Sequence, residues 1–211
     1  MLKYFEFNPF AENTWIVYDD SGACAIFDPG CYTVEECRAL RAFIEENSLK
    51  PARLILTHAH LDHVFGARFV QDTWQLPLEV HQNELPLLER FQDVCRMYGI
   101  PGAQTPPEPE VFLNPGDLIA FGNTRLEALY TPGHSPGSLS FYNRSEGYVL
   151  AGDVLFMESI GRTDLPGGDH DTLIERIRRE LFSLPDETIV YPGHGPATTI
   201  RHEKAYNPFL N

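Results

Sequence analysis

The segment Thr57-His58-Ala59-His60-Leu61-Asp62-His63 places three imidazoles and a carboxylate within six residues, directly after the apolar run Arg53 to Leu56. A solvated turn gains nothing from imidazoles, whereas neutral imidazole and carboxylate are the preferred ligands of Zn²⁺ and Fe²⁺. Residues two apart in an extended stretch project to the same side, so His58 and His60 can chelate one ion. Asp62 and His63, in the turn into a helix, address a neighbouring position. Four donors cannot complete two coordination shells, so further ligands are required at the ends of other strands. Three candidates stand there: His134 in Thr131-Pro132-Gly133-His134-Ser135-Pro136-Gly137, Asp153 after Ala151-Gly152, and His194 in Pro192-Gly193-His194-Gly195. Each follows a strand and sits beside Gly or Pro. Two divalent ions a few ångströms apart hold a bridging water and bring its pKa toward neutrality, which makes hydrolysis the natural chemistry. No G-x-S-x-G elbow or Cys/His signature supplies a competing nucleophile. Asp62 and Asp153 can accept a proton as hydroxide attacks, while the metals stabilise the oxyanion. His81, His170 and His202 fall outside these positions and are expected to be structural or surface residues.

Elements able to position these residues are visible in the patterning. Leu2 to Phe7, Thr14 to Tyr18 and Ala23 to Phe27 read as antiparallel strands. Thr33-x-x-Glu36 has capping-box spacing, and Val34, Cys37, Leu40, Phe43 and Ile44 mark one face of a helix running to about Asn47. Arg53 to Leu56 follows as a buried strand, then helices from His63 to about Trp74 and Asn83 to about Tyr98 flank a short strand, Leu78 to Val80. Five prolines between Pro101 and Pro115 predict a surface loop without regular structure. Asp117 to Phe121, Arg125 to Tyr130, Ser138 to Tyr142 and Tyr148 to Ala151 form a second antiparallel set. Asp171 is the expected cap of a helix carrying Leu173, Ile174, Ile177 and Leu181, and Thr188 to Tyr191 is a last strand before a helical tail. The order predicts two face-to-face sheets with helices outside.

Composition narrows the function classes. With 16 basic against 30 acidic residues the 211-residue chain carries a formal charge of −14, which argues against binding nucleic acid. At 43% hydrophobic and 22% charged it is a globular chain, read as a single domain over 1–211. No stretch approaches a membrane span, and Met1 to Pro9 does not read as a secretory leader. Cys24, Cys31, Cys37 and Cys95 contain no C-x-x-C pair and are expected to be reduced and mostly structural, in a cytoplasmic protein, with Cys31 in its Gly30-Cys31 turn read as a buried inert thiol over one near a site. Nothing in the sequence speaks to oligomeric state.

From Asp28 to His194 the ordered motifs resemble those of the metallo-β-lactamase superfold of metallohydrolases. That resemblance implies an α/β (α+β) αββα sandwich of two packed mixed sheets with helices on the outer faces. It implies that His58, His60 and His134 hold one metal, that Asp62, His63 and His194 hold the second, and that Asp153 bridges both. Asp28 and Thr57 then orient the ligand loops. The cofactor is expected to be two divalent ions, zinc foremost, with iron or manganese as alternatives. Gly152-Asp153-Val154-Leu155-Phe156 and the tail Glu203 to Leu210 are most similar to the glyoxalase II and hydroxyacylglutathione hydrolase-like group, in a short form without the C-terminal glutathione-binding domain. The expected reaction is thioester hydrolysis of a small molecule by a metal-bridging hydroxide. In Ile160-Gly161-Arg162-Thr163-Asp164, Arg162 either binds a substrate carboxylate or pairs with Asp164 or Asp169. The same segment resembles persulfide dioxygenases, which would use one iron on His58, His134 and Asp153. A non-catalytic metal-stabilised binding protein is the third alternative. Phosphodiester and β-lactam hydrolysis are less expected.

Overall fold

Aromatic and β-branched residues make the chain from Leu2 to Phe27 a meander. In the computed structural model, which describes residues 1–210, β1 (Leu2–Phe7), β2 (Glu12–Tyr18) and β3 (Ala23–Phe27) pair antiparallel, with Leu2 opposite Val17 and Trp15 opposite Phe27. The Thr33–Glu36 capping box forms as expected and starts α1 (Val34–Glu46). That helix returns the chain to β4 (Lys50–Ile55), parallel to β3. The expected helix from His63 to Trp74 is two, α2 (Leu61–Val64) and α3 (Ala67–Trp74), broken at Gly66. Gly66 donates its N–H to Pro29 O at 2.7 Å, and a Cβ there would run into Cys31 Sγ, so no larger residue allows this approach. β5 (Leu78–Val80) adds parallel to β4. Where one helix is expected over Asn83 to Tyr98, a 3₁₀ turn (Gln82–Glu84) leads into α4 (Leu85–Glu89) and α5 (Phe91–Met97). The proline-rich segment is not wholly irregular. Pro109 to Phe112 forms β6, parallel to β5, because an edge strand tolerates a proline with no N–H to donate.

The sheet order is β1-β2-β3-β4-β5-β6. Ile16, Ile26, Leu54, Leu56, Leu78 and Val80 pack with Leu40 and Ile44 of α1 and Val70 of α3 in one apolar core. Each such side chain contributes roughly 1.5–3 kcal/mol on burial. These elements belong to a first compact unit, residues 1–112 with 120–124. The second comprises residues 113–119 with the chain from 125 onward.

The second sheet takes β7 (Leu118–Phe121), β8 (Thr124–Tyr130), β9 (Leu139–Asn143) and β10 (Tyr148–Gly152), then a hairpin of β11 (Leu155–Phe156) and β12 (Ser159–Ile160) forms its own two-stranded sheet. α6 (His170–Arg176) continues as a π-helical stretch over Ile177–Leu181, followed by β13 (Ile189–Pro192), β14 (Thr198–Thr199) and α7 (Ile200–Tyr206). The order is β14-β13-β10-β9-β8-β7, with β13 parallel to β10. The cap of α6 is Asp169, not Asp171: its carboxylate accepts from Thr172 N at 2.7 Å, which places Asp171 inside the first turn. Val149, Ala151, Val190, Leu173, Ile177, Leu181 and Ile200 share the core of this unit.

Candidate metal centre

Strand direction decides where the candidate ligands gather. β9 runs antiparallel to both β8 and β10, and β13 runs parallel to β10, so the C-terminal ends of β8, β10 and β13 lie at one edge of their sheet. Those ends lead to His134, Asp153 and His194. In the first unit the parallel strands β3 and β4 likewise end side by side, at Asp28 and at the segment Leu56 to His63.

Asp28 organises the first set. Its backbone has a positive φ of 47°, a left-handed conformation that Asp adopts more readily than most residues, and its N–H is anchored on Ile55 O at 2.9 Å. Its Oδ1 accepts from Thr57 N and its Oδ2 from Thr57 Oγ1, both at 2.6 Å. Because the single hydroxyl hydrogen of Thr57 points at Asp28, the oxygen accepts from His58 Nδ1 at 3.0 Å. The proton of His58 is thereby set on Nδ1 and its lone pair on Nε2. His63 is treated alike: Nδ1 lies 3.2 Å from Asp28 Oδ2 and 4.0 Å from Glu12 Oε1, while Nε2 lies 3.7 Å from Asp62 Oδ2. Asp28, His58 and His63 come within 4.8 Å of one another and could by proximity be taken for a metal site. The Asp28 oxygens, however, are occupied in positioning Thr57 and His63, which leaves the Nε2 atoms as the outward donors. His60, half-buried, precedes α2, with its ring centroid 4.8 Å from that of His58.

Two buried glutamates that the motifs do not announce complete this half. Glu84, fully buried in the 3₁₀ turn, accepts from Ala59 N at 2.7 Å and so holds the strand-to-helix loop between His58 and His60. Glu12, fully buried, accepts from Thr14 Oγ1 at 2.9 Å, and burial, partly offset by attraction to His63, pushes its carboxyl well above the ordinary value. The available signal for Glu12 is an acidic residue two positions before the expected strand. The strand begins at Glu12, two residues earlier than its apolar pattern indicates.

In the second unit, His134 Nδ1 lies 2.7 Å from Arg162 O. A carbonyl only accepts, so this contact puts the proton on Nδ1 and the lone pair on Nε2. Asp153 Oδ2 then stands 3.5 Å from His134 Nε2 and 3.5 Å from His194 Nε2. That separation exceeds an N–H···O hydrogen bond, whereas two ligands on a tetrahedral ion with bonds of about 2.1 Å are separated by about 3.4 Å. The donor set therefore fits a divalent cation, and one carboxylate oxygen faces two imidazoles as a shared ligand would. Gly133 makes the tight approach to α6: at φ 126° it occupies a region closed to other residues, and a Cβ there would meet the Leu173 backbone.

Arg162 is committed locally. Its Nε and Nη2 bind the two oxygens of Asp164 at 2.7 Å each, and these hydrogen bonds hold the Asp164 carboxyl down to about 2. Asp169 is the helix cap instead of a partner for Arg162. The three remaining histidines behave as expected of structural or surface residues: His81 Nδ1 accepts from Asn83 N at the 3₁₀ turn, His170 is exposed at the start of α6, and His202 Nε2 meets Glu158 at 3.0 Å.

Residues 7–194 match the Metallo-beta-lactamase superfamily, and the chain belongs to it. The solved BLEG-1 B3 metallo-beta-lactamase is 38% identical, with a TM-score of 0.91 over 100% of both chains, so the αββα fold expected from the motifs is the fold of this chain. TTHA1623, solved in a di-iron-bound form, is 38% identical with a TM-score of 0.88, covering 99% of this chain and 100% of that one. Among curated relatives, a probable metallo-hydrolase of Bacillus subtilis, YqgX, is 40% identical over 96% of this chain and 94% of its own. The hydroxyacylglutathione hydrolase GloC of Haemophilus influenzae is 36% identical with the same coverage. No helix among the described residues is long and apolar enough to cross a membrane.

Proposed function

We propose that the chain is a dinuclear metal-dependent hydrolase acting on thioesters of the hydroxyacylglutathione type. The observation that carries this reading is the single oxygen, Asp153 Oδ2, equidistant from the Nε2 atoms of His134 and His194. His58, His60 and His134 would hold one ion, Asp62, His63 and His194 the other, and Asp153 both, with residues 1–211 acting as one metallo-β-lactamase domain. Zinc is the expected metal, and the di-iron form of TTHA1623 supports iron as an alternative. When bound, the ions supply water activation and Lewis-acid stabilisation of the oxyanion. Asp28, Thr57 and the Arg162 carbonyl set the histidine tautomers so that Nε2 atoms face the reaction, and Asp62 and Asp153 accept the proton released by the attacking water. A thiolate needs no acid to leave, so the chain requires no further proton donor. The likeness to GloC supports the thioester class. The four free cysteines support a reducing, cytoplasmic setting, and the charge of −14 a small-molecule substrate over a nucleic acid.

The test is thiol release from a panel of S-acylglutathiones by the metal-loaded protein, run beside oxygen uptake with glutathione persulfide and cleavage of a chromogenic β-lactam. Thioester turnover that Asp153→Asn lowers by at least about a hundredfold supports the proposal. Oxygen uptake without thiol release, retained by Asp62→Ala with one iron bound, would replace it with the mononuclear dioxygenase. β-Lactam cleavage alone would replace the substrate class.

A further inference from the structure

The four cysteines are all free, but their surroundings separate them. Cys24 is fully buried in β3, and burial pushes its thiol up to about 12; burial likewise raises Cys95 in α5. Both are inert by that criterion. Cys31 and Cys37 are different because they are neighbours. Cys31 ends the turn Asp28-Pro29-Gly30-Cys31, buried, with its sulfur backed by Gly66. Cys37 is half-buried in the first turn of α1, and its thiol donates to the backbone carbonyl of Cys31 at 3.9 Å. The two line a cavity of about 420 Å³ together with Arg38, Arg41, Phe65 and Phe69. Small solutes therefore have a route to one sulfur, and the second sulfur waits behind it.

We propose that Cys31 and Cys37 are a reactive dithiol, a modification site at which a hydroperoxide closes an intramolecular disulfide. The Cys37 thiolate attacks a peroxide oxygen, breaking the O–O bond and leaving a sulfenic acid on Cys37, and the departing hydroxide takes up a proton. Cys31, losing its proton, attacks the Cys37 sulfur and expels water. Two thiols are oxidised by two electrons, and hydrogen peroxide is reduced to two waters. Polarity favours this division of labour. The neighbouring Cys31 thiol lowers the Cys37 thiol, aided by Arg41 and opposed by burial and Glu36, while the Cys37 thiol and burial raise Cys31. A helix amino terminus also favours the thiolate. The proposal concerns a site apart from the candidate metal ligands and does not depend on the reaction assigned to them.

Treatment of the folded, metal-loaded protein with a few equivalents of hydrogen peroxide, then thiol counting in denaturant, tests it. Two of the four thiols should be lost and recovered with dithiothreitol. Cleavage after Glu35 and Glu36 separates the two cysteines, so a disulfide is read as their peptides remaining joined without reductant. Before oxidation, Cys37 should alkylate at least about tenfold faster than Cys24 or Cys95. Cys37→Ser should keep all three remaining thiols, and Cys31→Ser should leave a Cys37 sulfenic acid that dimedone traps. No thiol loss, a linkage that includes Cys24 or Cys95, or overoxidation of Cys37 with Cys31 intact would overturn the proposal. Cys37→Ser, an exposed-side isostere, keeps the test decisive should Cys31→Ser fail to fold.

Discussion

Asp28→Asn is the substitution that most sharply separates a residue that positions ligands from one that merely fills a turn. The carboxylate accepts from Thr57 N and Oγ1 at 2.6 Å and lies 3.2 Å from His63 Nδ1. Asparagine has one acceptor oxygen and an amide donor. It can keep the Thr57 N–H, but then its amide faces two further donors, Thr57 Oγ1–H and His63 Nδ1–H. Thr57 can relieve the clash by turning its hydrogen toward His58 Nδ1, which moves the His58 proton to Nε2, the atom needed for a ligand. Losing one charge-assisted hydrogen bond costs about 1.5–3 kcal/mol, and the expected result is metal affinity weakened roughly 10–100-fold. Asn accepts the left-handed backbone at this position, where φ is 47°, so the fold should persist. Competition against a chromophoric chelator gives the affinity, and circular dichroism checks the fold. Affinity within about twofold of wild type in a folded Asp28→Asn protein would refute the tautomer argument.

Other consequences follow from single residues. Gly133→Ala should destabilise the protein by about 2–4 kcal/mol, since φ 126° and the Leu173 backbone leave no room for a Cβ; an unchanged denaturation midpoint would contradict this. Tyr148 is held protonated by burial, its pKa raised above the ordinary 10.0. The folded state therefore binds more protons than the unfolded state above pH 10, and stability should fall as pH rises through that range. Tyr148→Phe should flatten that alkaline decline, and an identical slope would remove Tyr148 as its cause. Arg162→Ala should return the Asp164 carboxyl from about 2 toward its ordinary 3.8, read by NMR titration of the side-chain carbon. A carboxyl still at about 2 would mean that Arg162 is not what holds it.

The candidate ligands were legible because metal chemistry admits few residue types, because four of them crowd into His58 to His63, and because His134, Asp153 and His194 each follow a Gly just past a strand. Strands β2, β9 and β10 were legible from their apolar and aromatic runs, Trp15 to Val17, Phe141-Tyr142 and Tyr148 to Ala151, which are buried. What stayed hidden depends on tertiary partners. The break at Gly66 exists because Pro29 O and Cys31 Sγ lie against it, and β6 exists because β5 offers an edge that a proline-rich strand can join. Asp169 and Asp171 are equally good caps by type, and the choice between them rests on the anchor of Asp169 N to Gly133 O at 2.8 Å. Glu12 and Glu84 carry no motif, since their role is to accept hydrogen bonds or face imidazoles that only the fold brings near.

Two ions per chain is the stoichiometry that the proposed ligand set of His58, His60, Asp62, His63, His134, Asp153 and His194 requires. Elemental analysis after anaerobic loading with excess zinc and iron, and removal of loose metal, should give two ions per chain, falling in Asp153→Asn, the residue assigned to both. One tightly bound ion per chain at saturation, or none, would contradict the dinuclear account.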